Sequence, residues 1–421
     1  MRQSIFCLFL IWLAASLYVG NVYSANGAIG NDWLHTEGAL IKDSSGNVVI
    51  LRGVNMFIRL QNEQAKFVSA SAAGANVVRL MLWKCDIETP GPNETGSDKL
   101  GLDKRGLAAI DAAIGWAHDA GLMVILDQQV WSSTTFDSIE PAPSTFLSDP
   151  TLQAQWLAMW RLVVDRYKND PTVIGIDLMN EPYRVSVSQR GAWETIAKNA
   201  VFDLRSHNPN LLFFVEGWAG PTAVPGWQDI EFFKLPNVVY SEHIYYHTAS
   251  PLPLPKWEEP WRIAYSIGDL TTGRNLFSQY ADSRWTVFTN QGIPVWIGEV
   301  GFLTSDPYWQ DQMENELTLF DQRGIGYAAF AYGISRWRSV YDIVDASYNL
   351  TNVGAAYKNH LKTPMATVTT TAVSSLTQAS AVSGGNVTSD GGAAVTERGV
   401  CWGAASDPTT ACARTTDGSG T

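Results

Sequence analysis

From residue 49 to residue 332, short runs of β-branched and aromatic residues alternate with longer stretches whose apolar positions fall three and four apart. The runs are Val49–Met56, Asn76–Trp83, Leu122–Gln129, Val173–Met179, Leu211–Val215, Val238–Tyr245, Pro294–Glu299 and Gly326–Tyr332. Runs that are apolar on both faces and separated by amphipathic segments predict a parallel sheet covered by helices. The predicted helices are Gln61–Ala75, Lys104–Ala120, Thr151–Lys168, Gln189–Ser206, Leu276–Asn290, Gln312–Gln322 and Val353–Leu361, with a short element near Ile230–Leu235. Asp149-Pro150 and Asp311 read as helix starts, because an Asp side chain accepts from the first free backbone N–H groups. Each strand-plus-helix unit averages about 35 residues, the size expected of a (β/α)8 repeat. An open doubly wound sheet would carry a Gly-rich phosphate loop after its first strand, and Arg52-Gly53-Val54-Asn55 is not one. The expected fold class is α/β, a (β/α)8 TIM barrel over residues 25–362, with its continuous repeat pattern from residue 31.

Both flanks differ from this pattern. Met1 to Ser4 carries a positive charge, Ile5 to Gly20 is largely apolar, and Val22-Tyr23-Ser24 places small residues before Ala25. Residues 1–24 are therefore expected to be a secretory signal peptide, giving an exported protein with no membrane attachment after cleavage. After Lys362 the chain turns rich in Thr, Ser, Ala and Gly, with strand-like runs at Ala366–Val373, Ala379–Val387 and Val395–Trp402. Gly384-Gly385-Asn386-Val387 and Gly399-Val400-Cys401-Trp402 resemble bacterial fibronectin-type-III-like repeats. A complete sandwich of that kind needs about seven strands in about 100 residues. Residues 363–421 are thus expected to be an incomplete module.

Composition narrows the function. With 41 acidic against 29 basic residues and a net charge of −12, the chain is not expected to bind nucleic acid. Seventeen Trp, 15 Tyr and 16 Phe suit stacking on sugar rings, although large cores use the same residues. The cysteine spacing and six scattered His match no zinc pattern, so neither metal nor cofactor is expected. Cys401 and Cys412 could close a small loop, which would leave Cys85 unpaired.

Two carboxylates stand at the ends of predicted strands: Glu181 in Leu178-Met179-Asn180-Glu181-Pro182, and Glu299 in Pro294-Val295-Trp296-Ile297-Gly298-Glu299. A barrel places its active site at those ends, and strands four and seven face each other across the mouth. Two carboxylates about 5–5.5 Å apart can cleave a glycosidic bond by double displacement.

With Arg79 in Val77-Val78-Arg79-Leu80, Glu216 in Phe214-Val215-Glu216-Gly217, and His243 and Tyr245 in His243-Ile244-Tyr245, this ordered series resembles glycoside hydrolase family 5 over residues 31–362. The resemblance implies Glu181 as general acid/base and Glu299 as nucleophile. Arg79 and Tyr245 would stabilise the nucleophile's charge, Asn180 would hold the 2-hydroxyl, and His243 would place the acid's proton. Glu216 would support the barrel mouth without a catalytic part. The chain departs from the family at two positions, with Gln129 where a His is usual and Phe330 where a Trp is usual. Both are expected to touch the sugar. The implied function is a monomeric, secreted, retaining endo-β-1,4-glucanase acting on β-glucan. A β-mannanase or other family specificity, a non-hydrolytic carbohydrate-binding barrel, and an adhesive protein displaying the C-terminal repeat are the alternatives. Trp131, Trp218, Trp227, Trp257 and Trp261 are candidates for gripping a polymer.

Overall fold

The computed structural model describes residues 8–15, 33–57, 63–83, 107–130, 146–182, 190–217, 227, 229–245, 260–302, 304, 306–332, 342–345, 347–361, 367–375, 380, 382–389, 395–403 and 413–417. Strand β1 (Leu8–Ala15) precedes a short hairpin, β2 (His35–Glu37) and β3 (Leu40–Lys42). Eight parallel strands then close a barrel: β4 (Arg52–Phe57), β5 (Val77–Trp83), β6 (Met123–Val130), β7 (Val173–Asp177), β8 (Leu212–Glu216), β9 (Val238–Tyr245), β10 (Val295–Gly301) and β11 (Gly326–Ala329). They are the predicted eight, in chain order around the barrel.

The helices are α1 (Gln64–Ala73), α2 (Leu107–Asp119), α3 (Pro150–Tyr167), α4 (Arg190–His207), α5 (Pro260–Ser266), α6 (Leu270–Ala281), α7 (Trp309–Arg323) and α8 (Asn352–Leu361). Asp149 caps α3 as expected, accepting from Thr151 and Leu152 N–H. Asp311 instead lies within the first turn of α7, where its charge faces the positive helix end. The predicted helix at Leu276–Asn290 starts earlier, because Asp269 accepts the Thr272 N–H, and it runs on through a wider turn at Asp282–Thr286. Helix α5 falls between the predicted strand Val238–Tyr245 and the predicted helix Leu276–Asn290, where the pattern predicts no element.

Along β8, Leu212 and Phe214 face the lumen while Phe213 and Val215 face the helices, the two-residue alternation of a strand. The lower lumen is filled by Leu51, Val77, Ile125, Leu212, Phe214, Val239 and Trp296, and Leu34 and Ile41 of the hairpin region join this cluster from below. A second, larger core lies between strands and helices. Gly53 is required on β4, since a Cβ there would sit 1.9 Å from the Val77 carbonyl oxygen.

The apolar filling gives way to polar side chains toward the strands' C-terminal ends. Asn55, Arg79, Asp127 and Asp177 are all buried there. Separately, the backbone of β1, within the expected leader, pairs antiparallel with β14 (Val395–Gly403). Strands β12 (Thr367–Ser374) and β13 (Val382–Ser389) form an antiparallel pair, and β15 (Ala413–Arg414) adds to β14. Among the described residues, no helix is long and apolar enough to cross a membrane.

Candidate active site

The polar layer at the barrel mouth is organised by Arg79, whose side chain is 0% exposed. Its Nε donates to Asp177 Oδ2 at 3.0 Å, and Nη1 donates to Glu299 Oε1 at 2.9 Å and Asn55 Oδ1 at 3.1 Å. Its Nη2 donates to Asn180 Oδ1 at 3.1 Å and Glu216 Oε1 at 3.3 Å, and lies 2.9 Å from Asp127 Oδ1. Burial works against the charge of Arg79, but the carboxylates of Asp127, Asp177, Glu299 and Glu216 outweigh it and hold the guanidinium ionised.

Asp177 responds to the same setting. Burial, opposed by Arg79, pushes its carboxyl up to about 7. Burial likewise raises Asp127 well above the usual carboxylate range.

Glu299 is aimed inward by an irregularity in β10. Trp296 faces the lumen and Ile297 the helices, so simple alternation would turn residue 299 outward. The β9–β10 register shifts between Ile297 and Glu299, so Ile297 pairs with Glu242 and Glu299 with His243. Gly298 is the extra residue, and a bulge of this kind re-aims the next side chain. Glycine is needed there, because a Cβ would meet His243 Nε2 at 2.9 Å and Ser241 Oγ at 3.0 Å. Glu299 then receives Arg79, the Tyr245 hydroxyl and, at 3.4 Å, Gln129 Nε2.

Glu181 follows β7 in a left-handed conformation, φ 45°. Its backbone N–H donates to Glu216 Oε2 at 2.8 Å, while the preceding Asn180 N–H donates to the Gln128 carbonyl at 3.1 Å. Glu181 Oε1 lies 3.0 Å from His243 Nδ1, and His243 Nε2 lies 3.0 Å from Glu216 Oε1. One oxygen each of Glu181 and Glu299 and a ring nitrogen of His243 lie within 4.8 Å of one another. Burial would lower the His243 value, but the charges of Glu216 and Glu299 and the hydrogen bond to Glu181 raise it well above the ordinary imidazole range.

Three indole N–H groups pin the strand ends from behind. Trp156 donates to Gln128 Oε1 at 2.5 Å, Trp160 to the Leu178 carbonyl at 3.0 Å and Trp193 to the Glu216 carbonyl at 3.0 Å. These tryptophans belong to helices and form no part of a cleft wall.

The sequence-selected residues thus meet in one place. Arg79, Gln129, Asn180, Glu181, His243, Tyr245 and Glu299 share a contact network, and the Phe330 ring stands edge-on to Tyr245 at 5.7 Å. Gln129 also accepts from Arg79 Nη1 at 3.4 Å. Asn55, Asp127 and Asp177 were not anticipated. Their signal was present as polar residues inside otherwise apolar runs.

Two proposed sugar-gripping residues are corrected. Trp227 is buried against Phe232 and Phe233, and Trp261 lies on α5, buried against Phe277 and Tyr280. Trp131, Trp218, Trp257, Cys85 and Cys412 lie outside the described residues.

Among the described residues, two triads, Asp177–Glu216–His243 and Glu181–His243–Glu299, have the spacing to hold a cation. The positive charge an ion would bring is already supplied there by Arg79 and His243.

A closed eight-stranded barrel with paired carboxylates on its seventh-and-fourth-strand ends defines the class: a barrel glycoside hydrolase. The cellulase profile, glycosyl hydrolase family 5, matches residues 42–335, and the chain belongs to that family. Among curated relatives, an endoglucanase of Paenibacillus polymyxa is 26% identical over 337 residues, covering 72% of this chain and 79% of its own length. Endoglucanase B of Acetivibrio thermocellus is 25% identical over 371 residues, covering 70% of this chain and 64% of its own length. Among solved structures, the endocellulase of Pyrococcus horikoshii complexed with cellotetraose aligns with a TM-score of 0.59 at 18% identity, over 79% of this chain and 98% of the other.

Proposed function

We propose that the chain is a secreted, retaining endo-β-1,4-glucanase in which Glu299 is the nucleophile and Glu181 the general acid/base. The observation that carries this reading is the Glu181–Glu299 oxygen pair within 4.8 Å, each carboxylate in a different setting. Glu299 is nearly buried and accepts from Arg79, Tyr245 and Gln129, partners that favour a charged carboxylate. Glu181 is more exposed and has His243 as its side-chain partner.

In the first step a Glu299 oxygen attacks the anomeric carbon. The bond from that carbon to the leaving sugar oxygen breaks, and this oxygen takes the proton of Glu181. In the second step Glu181 removes a proton from water, whose oxygen attacks the same carbon and breaks the ester to Glu299. Both carboxyl groups return to their starting states, and two inversions retain the anomeric configuration.

Asn180 and Gln129 line the same network and supply amide groups for sugar hydroxyls. Phe330 offers an apolar face beside Tyr245. The relatives named as endoglucanases support β-1,4-glucan as substrate. Export follows from the leader pattern at residues 1–24, and the secreted protein should begin at Ala25.

Reducing-sugar release should be highest on carboxymethylcellulose or lichenan, with an early fall in viscosity from internal cleavage. Preferential release from mannan would make the protein a mannanase on the same chemistry. Binding without release from any of these polymers, xylan included, would overturn the hydrolytic reading.

A further inference from the structure

Glu216 ends β8 beside the carboxylate pair and has neither of the roles above. Its side chain is 3% exposed, and both oxygens are engaged. Oε2 accepts the Glu181 backbone N–H at 2.8 Å, while Oε1 lies 3.0 Å from His243 Nε2 and 3.3 Å from Arg79 Nη2. Its own backbone is fixed independently, because its carbonyl accepts the Trp193 indole at 3.0 Å.

Two consequences follow. Glu181 has a φ of 45°, which side-chain-bearing residues rarely adopt, and the bond from its N–H to Glu216 holds that conformation. His243 Nε2 lies 3.0 Å from Glu216 Oε1 without the alignment of a hydrogen bond, so Glu216 acts on it through its charge, which favours a proton on Nε2 and leaves Nδ1 facing Glu181 Oε1 at 3.0 Å. A hydrogen bond between Nδ1 and Glu181 Oε1 requires one further proton on that line. Either Glu181 donates it to Nδ1, or Nδ1 donates it to Glu181, and the proton count is the same.

We propose that Glu216 is a positioning residue for the general acid, holding the Glu181 backbone directly and, through His243, keeping on the His243–Glu181 pair the proton that the leaving sugar receives. This rests on the reading of Glu181 as acid/base. The proton leaves the pair as the glycosidic bond breaks and returns from the attacking water, so the balance of the double displacement is unchanged. The other charged and titratable groups facing this line are Arg79 on β5, Asp127 on β6, Asp177 on β7, Tyr240 and Tyr245 on β9, and Glu299 on β10.

The test compares kcat/KM for a cello-oligosaccharide, which needs an acid, with that for 2,4-dinitrophenyl cellobioside, whose leaving group does not. Glu216→Gln should lower the first by about 100-fold or more, the range of a lost general acid, and the second by less than about 5-fold. Removing the negative charge should also move the alkaline limb of kcat/KM for the oligosaccharide down by about one pH unit. Glu216→Asp retains the charge and should leave that limb in place while lowering the rate. Equal losses on both substrates, an unmoved limb in Glu216→Gln, or a shifted limb in Glu216→Asp would overturn the inference. Glu181→Ala, measured in parallel, separates the two claims. If it is selective for the oligosaccharide while Glu216→Gln is not, the inference alone fails. If Glu181→Ala slows both substrates equally, the acid/base reading fails and takes the inference with it.

Discussion

Replacing Arg79 with Ala should destabilise the barrel in a way that depends on pH. The guanidinium is fully buried and lies 2.9 Å from Asp127, 3.0 Å from Asp177, 3.3 Å from Glu216 and 2.9 Å from Glu299. Removing one partner of a buried ion pair costs about 3–5 kcal/mol, because the other charge is left uncompensated. At roughly 2–4 °C per kcal/mol for a large domain, the midpoint of thermal unfolding should fall by roughly 6–20 °C. The sign of the pH dependence follows from Asp177, whose carboxyl is raised from an ordinary 3.8 to about 7 by burial against the pull of Arg79. Between those values the folded state binds more protons than the unfolded state, so stability falls as pH rises and levels off above the upper value. Without Arg79 the folded carboxyl values rise further, which extends the loss to higher pH. Calorimetry of wild type and Arg79→Ala at pH 5 and pH 8 should therefore show a clearly larger deficit at pH 8. An equal deficit at both, or one below about 3 °C, would refute the claim that Arg79 neutralises the carboxylate layer.

Three other perturbations probe separate parts of the chain. Glu316 on α7 is buried, and burial pushes its carboxyl up to about 8 despite the Gln312 hydrogen bond and Arg262. Its folded value is raised, so wild-type stability should decline from about pH 4.5 to about pH 8; the Glu316→Gln melting curve should be flatter there, and an unchanged slope would count against this. Phe330→Ala should raise KM on glucan several-fold with a smaller change in kcat, and Phe330→Trp should lower KM, since a wider face stacks better; steady-state kinetics with no change in either variant would remove Phe330 from the sugar site. Deleting residues 363–421 should leave activity on soluble glucan within about two-fold, because all eight barrel strands lie within residues 52–329. A collapse of activity or of the barrel's melting transition would show that the segment supports the barrel.

The barrel was legible because its strands are buried on both faces, which leaves uninterrupted apolar runs that periodicity detects well. Strand and helix ends were less legible. The Leu276–Asn290 segment hid the earlier start of α6 because the helix opens on the polar run Thr271-Thr272-Gly273-Arg274-Asn275, which breaks the apolar period. Helix α5 was missed because its seven residues are too few to show a helical period.

At the site, the placement of Glu181 and Glu299 at the barrel mouth is legible from strand-end position alone, whereas the bulge at Gly298 that turns Glu299 inward has no local signature beyond one glycine. The sequence places Glu216 near the mouth as support but does not show that its two oxygens reach both His243 and the Glu181 N–H. The Trp residues were the weakest ground for inference. Trp227 and Trp261 lie outside the predicted strands and helices, and the contacts that bury them come from residues such as Phe233 and Phe277 on neighbouring elements.

The proposed double displacement by Glu181 and Glu299 is tested most directly by the anomeric configuration of the first-formed product. Proton NMR of a cello-oligosaccharide digest, recorded before mutarotation equilibrates the new reducing end, should show the β-anomer appearing first and the α-anomer following at the rate of mutarotation. An α-anomer appearing first would mean a single inverting displacement by water, and would contradict the assignment of Glu299 as nucleophile.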